Sequence, residues 1–90
     1  MGIDKYEKLL EQLLKNKEWP LVYMFKFIVP NRDGLVEKVV SILPTNGKMS
    51  FNHTKSLKYV AITCIAEMES AELIVSTTSE ATDIKGVMAL

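Results

Sequence analysis

The sequence has few of the residues on which catalytic and metal-binding chemistry depends. Its 90 residues include one cysteine, Cys64, and one histidine, His53. A single cysteine cannot form an intramolecular disulfide and suits a reducing compartment, and within its apolar run Cys64 is expected to be a small buried residue. A metal site needs several spaced ligands, and a general base needs a partner. His53 has neither nearby in the sequence, so we expect no metal and no cofactor.

An excess of charge and a long apolar run are both missing as well. Eleven Lys and Arg residues balance eleven Asp and Glu residues at pH 7, and a neutral chain has no long-range field to attract nucleic acid or an anionic membrane. No apolar run is long enough to span a bilayer. Four charged residues between positions 4 and 8 interrupt the first apolar cluster, so we expect no signal peptide. The expectation is a cytoplasmic protein that binds no membrane, with nucleic-acid binding disfavoured.

Sequence motifs of catalysis are absent too. The chain has no paired carboxylates, no nucleophile–base spacing and no glycine-rich phosphate loop, and these are the patterns that usually announce an active site. The glutamates are spread singly along the chain, as expected of solvated surface charges. We therefore do not expect an enzyme.

Apolar residues are what the sequence has in quantity, at 48%, and they are strongly periodic. Ninety residues form one domain, 1–90. Three- and four-residue spacing predicts three helices: 3–15, 34–43 and about 71–81. Two-residue alternation predicts four strands: 21–29, 48–54, 57–68 and 84–90. After the N-terminal helix this order is that of the α+β ferredoxin-like fold, a βαββαβ sandwich with a four-stranded antiparallel sheet and two helices on one face.

The first helix has an apolar stripe that needs a partner surface. The stripe recurs at helical spacing and consists of Tyr6, Leu9, Leu10, Leu13 and Leu14. Asp4 is positioned to cap the first turn, and Ile3 to pack back against it. Because an isolated helix of this length is marginal in water, the stripe must be buried on the rest of the domain.

The two long strands each present two different faces, because side chains alternate along a strand. One face of the first strand carries its aromatic residues and is predicted to lie under the helices. That face comprises Leu21, Tyr23, Phe25, Phe27 and Val29. The other face of the sheet is open, and its candidate interaction surface comprises Val22, Met24, Lys26, Ile28, Tyr59 and Ile65.

This open surface is apolar enough to need a cover, since contiguous apolar patches usually mark contacts. The N-terminal helix could fold across it, or two chains could pair as a homodimer; the sequence leaves both alternatives open. The same strand order also builds the RRM, which stacks RNA bases on aromatic residues of the open face. Tyr59 is the one aromatic residue predicted there and no RNP-like motif is present, so RNA binding is the weakest alternative.

The segment "PNRDG", residues 30–34, joins the first strand to the second helix and is the candidate ligand site. Asn31 or Asp33 could cap the helix while Gly34 eases the turn. Alternatively, glycine lets backbone N–H groups at the helix start approach a small carboxylate closely. Asp33 works against the second interpretation because its charge repels an anion. We favour the purely structural interpretation and retain Asn31, Arg32, Asp33 and Gly34 as the alternative site.

A few basic residues surround the predicted hairpin whose tip is 55–56. They are Lys48, His53, Lys55 and Lys58. Lysines on an edge strand discourage unwanted pairing with other sheets, so we interpret the group as a solvated edge. A docking patch for an acidic partner or RNA is the less favoured interpretation.

Five segments give the chain a resemblance to a known family. They are the first helix ending in "EWP", "LVYMFKFIVP", "GLVEKVVSIL", "SLKYVAITCIAEM" and "DIKGVMAL". In length, order and apolar placement they resemble the YbeD-like proteins, small bacterial proteins of unknown function that are sometimes labelled lipoate regulators. The resemblance implies a ferredoxin-like fold similar to that of ACT regulatory domains, which sense amino acids and often form homodimers. It implies no established activity.

Together these observations predict a small non-enzymatic protein of unknown specific function that acts in regulation through contacts with an unknown protein partner. The alternative is an ACT-like sensor that binds a small carboxylate or amino acid at 31–34. The second alternative is weak RNA binding through the open sheet face.

Overall fold

The computed structural model describes residues 6–90. Its helices and strands, in chain order, are α1 (Glu7–Leu14), β1 (Leu21–Pro30), α2 (Leu35–Ile42), β2 (Lys48–His53), β3 (Tyr59–Met68), α3 (Ala71–Thr82) and β4 (Met88–Ala89). Within these residues the strands form one antiparallel sheet in the order β2-β3-β1-β4. This is the predicted α+β ferredoxin-like arrangement with an extra N-terminal helix, and that prediction is confirmed.

The centre of the sheet is the pairing of β1 with β3, which both run for ten residues. Phe25 lies opposite Cys64 and Phe27 opposite Ile62, and all four side chains are at most 2% exposed. The rings of Phe25 and Phe27 stack with centroids 6.2 Å apart. As predicted, the aromatic face is the one that the helices cover, and it forms the core.

Helix α3 shows how a sequence of weak helix formers is held in place. Its N-cap is Ser70, as predicted, whose Oγ accepts a hydrogen bond of 3.2 Å from the backbone N–H of Leu73. Ile74 and Ala81 are fully buried. Thr78 is buried between them and donates its hydroxyl to the carbonyl of Ile74 at 2.9 Å, so the helix accommodates a buried polar group without leaving it unpaired.

Helix α1 lies on the same side of the sheet as the other helices, next to α3. The Tyr6 hydroxyl is hydrogen-bonded to the Thr82 hydroxyl, and Leu13 is buried in the core with the residues of β1 and β3. The prediction that Leu14 belongs to the buried stripe is wrong, because its side chain is 52% exposed. Successive residues of a helix lie about 100° apart, and in the last turn of α1 it is Leu13 that faces the core.

The N-terminal end of the predicted helix 3–15 is only partly within the described residues. Helix α1 ends at Leu14, one residue before the predicted limit, and begins at Glu7 with Tyr6 as its N-cap. The predicted roles of Ile3 and Asp4 lie outside the described residues.

Other element ends differ from the prediction where the backbone turns. Strand β4 spans two residues instead of 84–90, because Gly86 at φ +91° places a turn before it. Strand β3 begins at Tyr59 and not at position 57, since Leu57 has φ +60° in the hairpin turn. In each case a residue in the left-handed region cannot continue the extended ladder.

Candidate functional site

The solvent side of the sheet, named here the open face, is not covered by any helix within residues 6–90. All six residues predicted for it lie on this side, and four of them are large apolar side chains that are at least 40% exposed: Val22, Met24, Tyr59 and Ile65. Met88 of β4 adds a fifth, opposite Ile28. The alternative that α1 covers the open face is wrong, because α1 packs beside α3 on the other side.

The open face has an ordered arrangement of charge as well as apolar surface. Met24 pairs with Ile65. Two residues after Met24 on β1, Lys26 pairs with Thr63. Two residues before Met24, Val22 pairs with Glu67. An exposed apolar pair therefore lies midway between one cation on β1 and one carboxylate on β3.

The turn between β1 and α2 has a well-defined backbone. The Arg32 N–H donates to the Pro30 carbonyl at 2.8 Å, and the Leu35 N–H donates to the Arg32 carbonyl at 3.1 Å. Gly34 is the N-cap of α2 with φ +82°. No atom lies within 4 Å of where its Cβ would be, so the turn requires glycine for its backbone conformation and not for space.

The prediction that Asn31 or Asp33 caps α2 is wrong, because the N-cap is Gly34 and no side chain bonds to the helix start. Asn31 instead holds the turn to the β2–β3 hairpin. Its side-chain amide donates to the Leu57 carbonyl at 2.8 Å, and its backbone N–H donates to the Lys58 carbonyl, also at 2.8 Å. The side chain and the backbone of this one residue therefore fix the turn against a segment 26 residues away in sequence.

All four residues of the predicted ligand site line a single cleft of about 520 Å³ between the turn and the end of β2, here called the turn cleft. Glu37, Phe51 and His53 complete its polar and aromatic wall. The volume is within the range of small-molecule pockets. Arg32 and His53 could bind a carboxylate, whereas Asp33 and Glu37 would repel one, so the turn cleft has mixed charge.

The structure divides the basic group predicted around the hairpin. Lys55 is at the tip, and His53 lines the turn cleft. Lys48 begins β2 and pairs with Ile65, at the opposite end of the strand from the hairpin, so its assignment to the group is wrong. Sequence proximity did not account for the length of β2, which separates its two ends by about 17 Å.

A second groove of about 1110 Å³ lies at the same end of the sheet, and we call it the basic groove. Four cationic side chains from different segments line it: Arg32, Lys38, Lys58 and Lys85. This group was not predicted from the sequence. No spacing links these positions, since only the folded topology brings the turn, α2, the hairpin and the α3–β4 loop together.

Cys64 is fully buried opposite Phe25, in agreement with the interpretation as a small core residue. Burial raises the pKa of its thiol above the ordinary value of 9.0, which lowers the fraction of nucleophilic thiolate. Among residues 6–90 there is no cluster of three or more His, Cys, Asp or Glu side chains placed to hold a metal ion. No helix in that part of the chain has the length and apolar character to cross a membrane.

Comparison with known proteins identifies a family. The family model described as "Protein of unknown function (DUF493)" matches residues 15–90, which include the strands β1 to β4 and the helices α2 and α3. Neither the search of curated proteins nor that of solved structures found a match.

Proposed function

Because the chain belongs to DUF493, a family of proteins of unknown function, we propose its role from its surface: it is a non-enzymatic regulatory protein that pairs with a second copy of itself through the open face. The observation that carries the proposal is the position of α1. This helix buries Leu13 on the helical side and so leaves the exposed apolar residues of the open face without a cover. Such contiguous patches on small domains mark contact surfaces.

A second copy fits the open face because of its charge arrangement. Homodimers are usually two-fold symmetric, so the same patch contacts itself and every contact occurs twice. The Met24–Ile65 pair lies midway between Lys26 and Glu67. A two-fold axis that crosses the strands at this pair therefore brings Lys26 of each chain beside Glu67 of its partner. The same axis brings the two Lys48 residues level with each other, because Lys48 of the edge strand β2 pairs with Ile65, but at this edge solvent screens their repulsion. A two-fold axis parallel to the strands would instead place Lys26 of one chain level with Lys26 of the other, away from Glu67.

The regulatory part of the proposal is supported by the resemblance to YbeD-like and ACT-like proteins. A cytoplasmic location is part of the proposal too, because a single cysteine suits a reducing compartment. ACT-like modules often pair, and pairing gives one molecule two copies of each cleft. Each dimer would therefore carry two identical clefts of each kind, held at a fixed separation.

Sedimentation velocity over a concentration series tests the dimer. Wild-type protein should shift from monomer to dimer as its concentration rises. Lys26→Glu and Glu67→Lys should each weaken association by about tenfold, ~1.4 kcal/mol, because each creates like-charge contacts across the interface. The combined variant should regain most of the lost affinity, since the pairs are restored with opposite sense.

Lys17→Glu is the matched control for the charge change, because Lys17 is exposed in the segment between α1 and β1. It should dimerise as the wild type does. A protein that stays monomeric at millimolar concentration would overturn the proposal, and so would a dimer that Lys26→Glu and Lys17→Glu affect equally.

The turn cleft favours a second candidate function, the sensing of a small carboxylate. Its support is that Asn31, Arg32, Asp33 and Gly34 line one cleft together with His53. A ligand present at 100 times its Kd should stabilise the fold by ~2.7 kcal/mol. Thermal unfolding in a panel of amino acids and lipoate measures this, lipoate being included on the resemblance to YbeD-like proteins.

The variants for this second candidate are His53→Ala, at a residue that lines the turn cleft and not the basic groove, and the control Lys17→Ala. Stabilisation that His53→Ala loses and Lys17→Ala keeps would support the turn cleft as the site. An unfolding temperature that no member of the panel changes would rule out sensing of those compounds.

A further inference from the structure

We propose that the basic groove is a binding site for a nucleoside di- or triphosphate. The groove shares Arg32 with the turn cleft and Tyr59 with the open face. Its cationic side chains are Arg32, Lys38, Lys58 and Lys85, and Asp83 is the one carboxylate among the lining residues. Four positive charges and one negative charge leave +3 in the groove, while the whole chain sums to zero. The excess is therefore local, and a polyanion would be attracted to this end of the sheet.

The groove is built from four separate segments that hydrogen bonds and packing hold together. Asn31 fixes the β1–α2 turn to the hairpin through the Leu57 and Lys58 carbonyls, both at 2.8 Å. At the other wall Gly86 lies against Pro30, so closely that a Cβ on Gly86 would be 2.8 Å from the proline Cγ. The cations are thus carried on a preorganised backbone, which reduces the entropy that a ligand must overcome.

Phosphate chemistry matches these side chains. The guanidinium of Arg32 can contact two phosphate oxygens at once, and the lysines act as mobile point charges around the rest of a polyphosphate. Three lysines and one arginine are more than one phosphate group requires. A chain of two or three phosphates can contact more of these side chains.

The groove also offers a surface for a flat ring. Tyr59 is 40% exposed and Leu57 is 61% exposed, and both line the groove beside Lys58. Aromatic side chains stack on nucleobases with little preference among them. The combination of an exposed aromatic wall and clustered cations indicates a nucleotide more than inorganic polyphosphate alone.

Titration of ¹⁵N-labelled protein with ATP, tripolyphosphate and adenosine, followed by NMR, tests the assignment. ATP should shift the amide signals of Arg32, Lys58 and Lys85 and bind more tightly than tripolyphosphate, and adenosine should bind more weakly than either. The affinity for ATP should fall as salt rises, because binding releases counterions from the phosphates.

The paired variants are K58A/K85A and the control K8A/K17A, which removes the same charge from exposed positions on and after α1. We expect K58A/K85A to lower the ATP affinity by about tenfold or more and the control to leave it nearly unchanged. Equal losses in both variants would show non-specific attraction and overturn the proposal, as would signal shifts confined to other parts of the chain. An RNA oligonucleotide that binds the groove more tightly than ATP would replace the nucleotide with a nucleic-acid ligand.

The backbone fold of both variants is checked by their unfolding temperatures and by the unshifted signals of core residues such as Ile62 and Ile74. Loss of the dimer in Lys26→Glu should leave ATP binding intact, because Lys26 does not line the groove. The two proposals can therefore fail separately.

Discussion

At the residue scale, Gly34 has a conformational role that one substitution can measure. Its φ of +82° lies in the left-handed region, and no neighbouring atom would touch an added Cβ. Gly34→Ala should therefore destabilise the protein by ~1 kcal/mol from backbone strain alone. Urea denaturation measures the change in the free energy of unfolding.

Gly34→Asn is the control for that experiment, because asparagine tolerates the left-handed conformation better than alanine. It should lose less stability than Gly34→Ala. Equal stability of wild type and Gly34→Ala would mean that the turn does not require this conformation.

Cys64 provides a pH dependence of stability. Burial raises the pKa of its thiol above the 9.0 that it has in the unfolded chain. Below pH 9 the thiol is protonated in both states and its favourable contribution is complete. Above pH 9 the unfolded chain releases this proton while the folded chain retains it, so the stability falls as the pH rises towards the pKa of the folded state.

The test is the free energy of unfolding from pH 7 to pH 10.5 for wild type and Cys64→Ala. The variant is expected to be less stable throughout, because it removes a buried side chain, and its curve should fall less steeply above pH 9. Part of the fall should remain, since burial also raises the pKa of Tyr23 above 10.0. Parallel curves for the two proteins would contradict the assignment of the pH dependence to Cys64.

At the scale of secondary-structure elements, two adjacent leucines of α1 make a matched pair. Leu13 is 7% exposed and Leu14 is 52% exposed, although both follow the same helical spacing. Leu13→Ala should destabilise the fold by about 2–5 kcal/mol, and Leu14→Ala by less than ~0.5 kcal/mol. Denaturation midpoints of the two variants compare them directly, and similar losses would contradict the packing of α1 beside α3.

The elements that could be predicted from sequence are those with a strong apolar period. In β1 the aromatic residues and Lys26 fall on opposite faces, and this identified which face is buried, because side chains alternate along a strand. The period of α1 indicated a buried stripe but not its exact members or the surface that it meets. The short β4 was overestimated because its apolar residues continue through the turn at Gly86, and apolar character alone does not show a positive φ.

Contacts between distant segments account for most of what sequence reasoning missed. A Cβ on Gly47 would lie 2.6 Å from the Sγ of Cys64, a constraint that no local pattern reveals. The caps expected from Asn31 and Asp33 were chosen from local chemistry, yet Asn31 bonds to the hairpin 26 residues away. Local rules predicted which residues form the turn, and the tertiary structure decides what those residues contact.

At the scale of the whole molecule, the position of α1 decides which surface is available for contacts. The open face was predicted from strand alternation, but whether α1 covers it depends on packing that the sequence does not specify. With α1 beside α3, residues 6–90 form a three-helix side, an uncovered apolar sheet face and two clefts at one end of that sheet. The basic groove could not be predicted because its four cations come from four different segments.

The most direct test of the central claim, that the open face is a contact surface between two copies, is a methyl NMR titration of protein concentration. In protein labelled at methionine and isoleucine methyl groups, the signals of Met24, Ile65 and Met88 should shift progressively as the concentration rises from micromolar to millimolar. Those of the buried Ile62 and Ile74 should stay in place. Open-face signals that do not change with concentration, or changes centred on the helical side, would contradict the account.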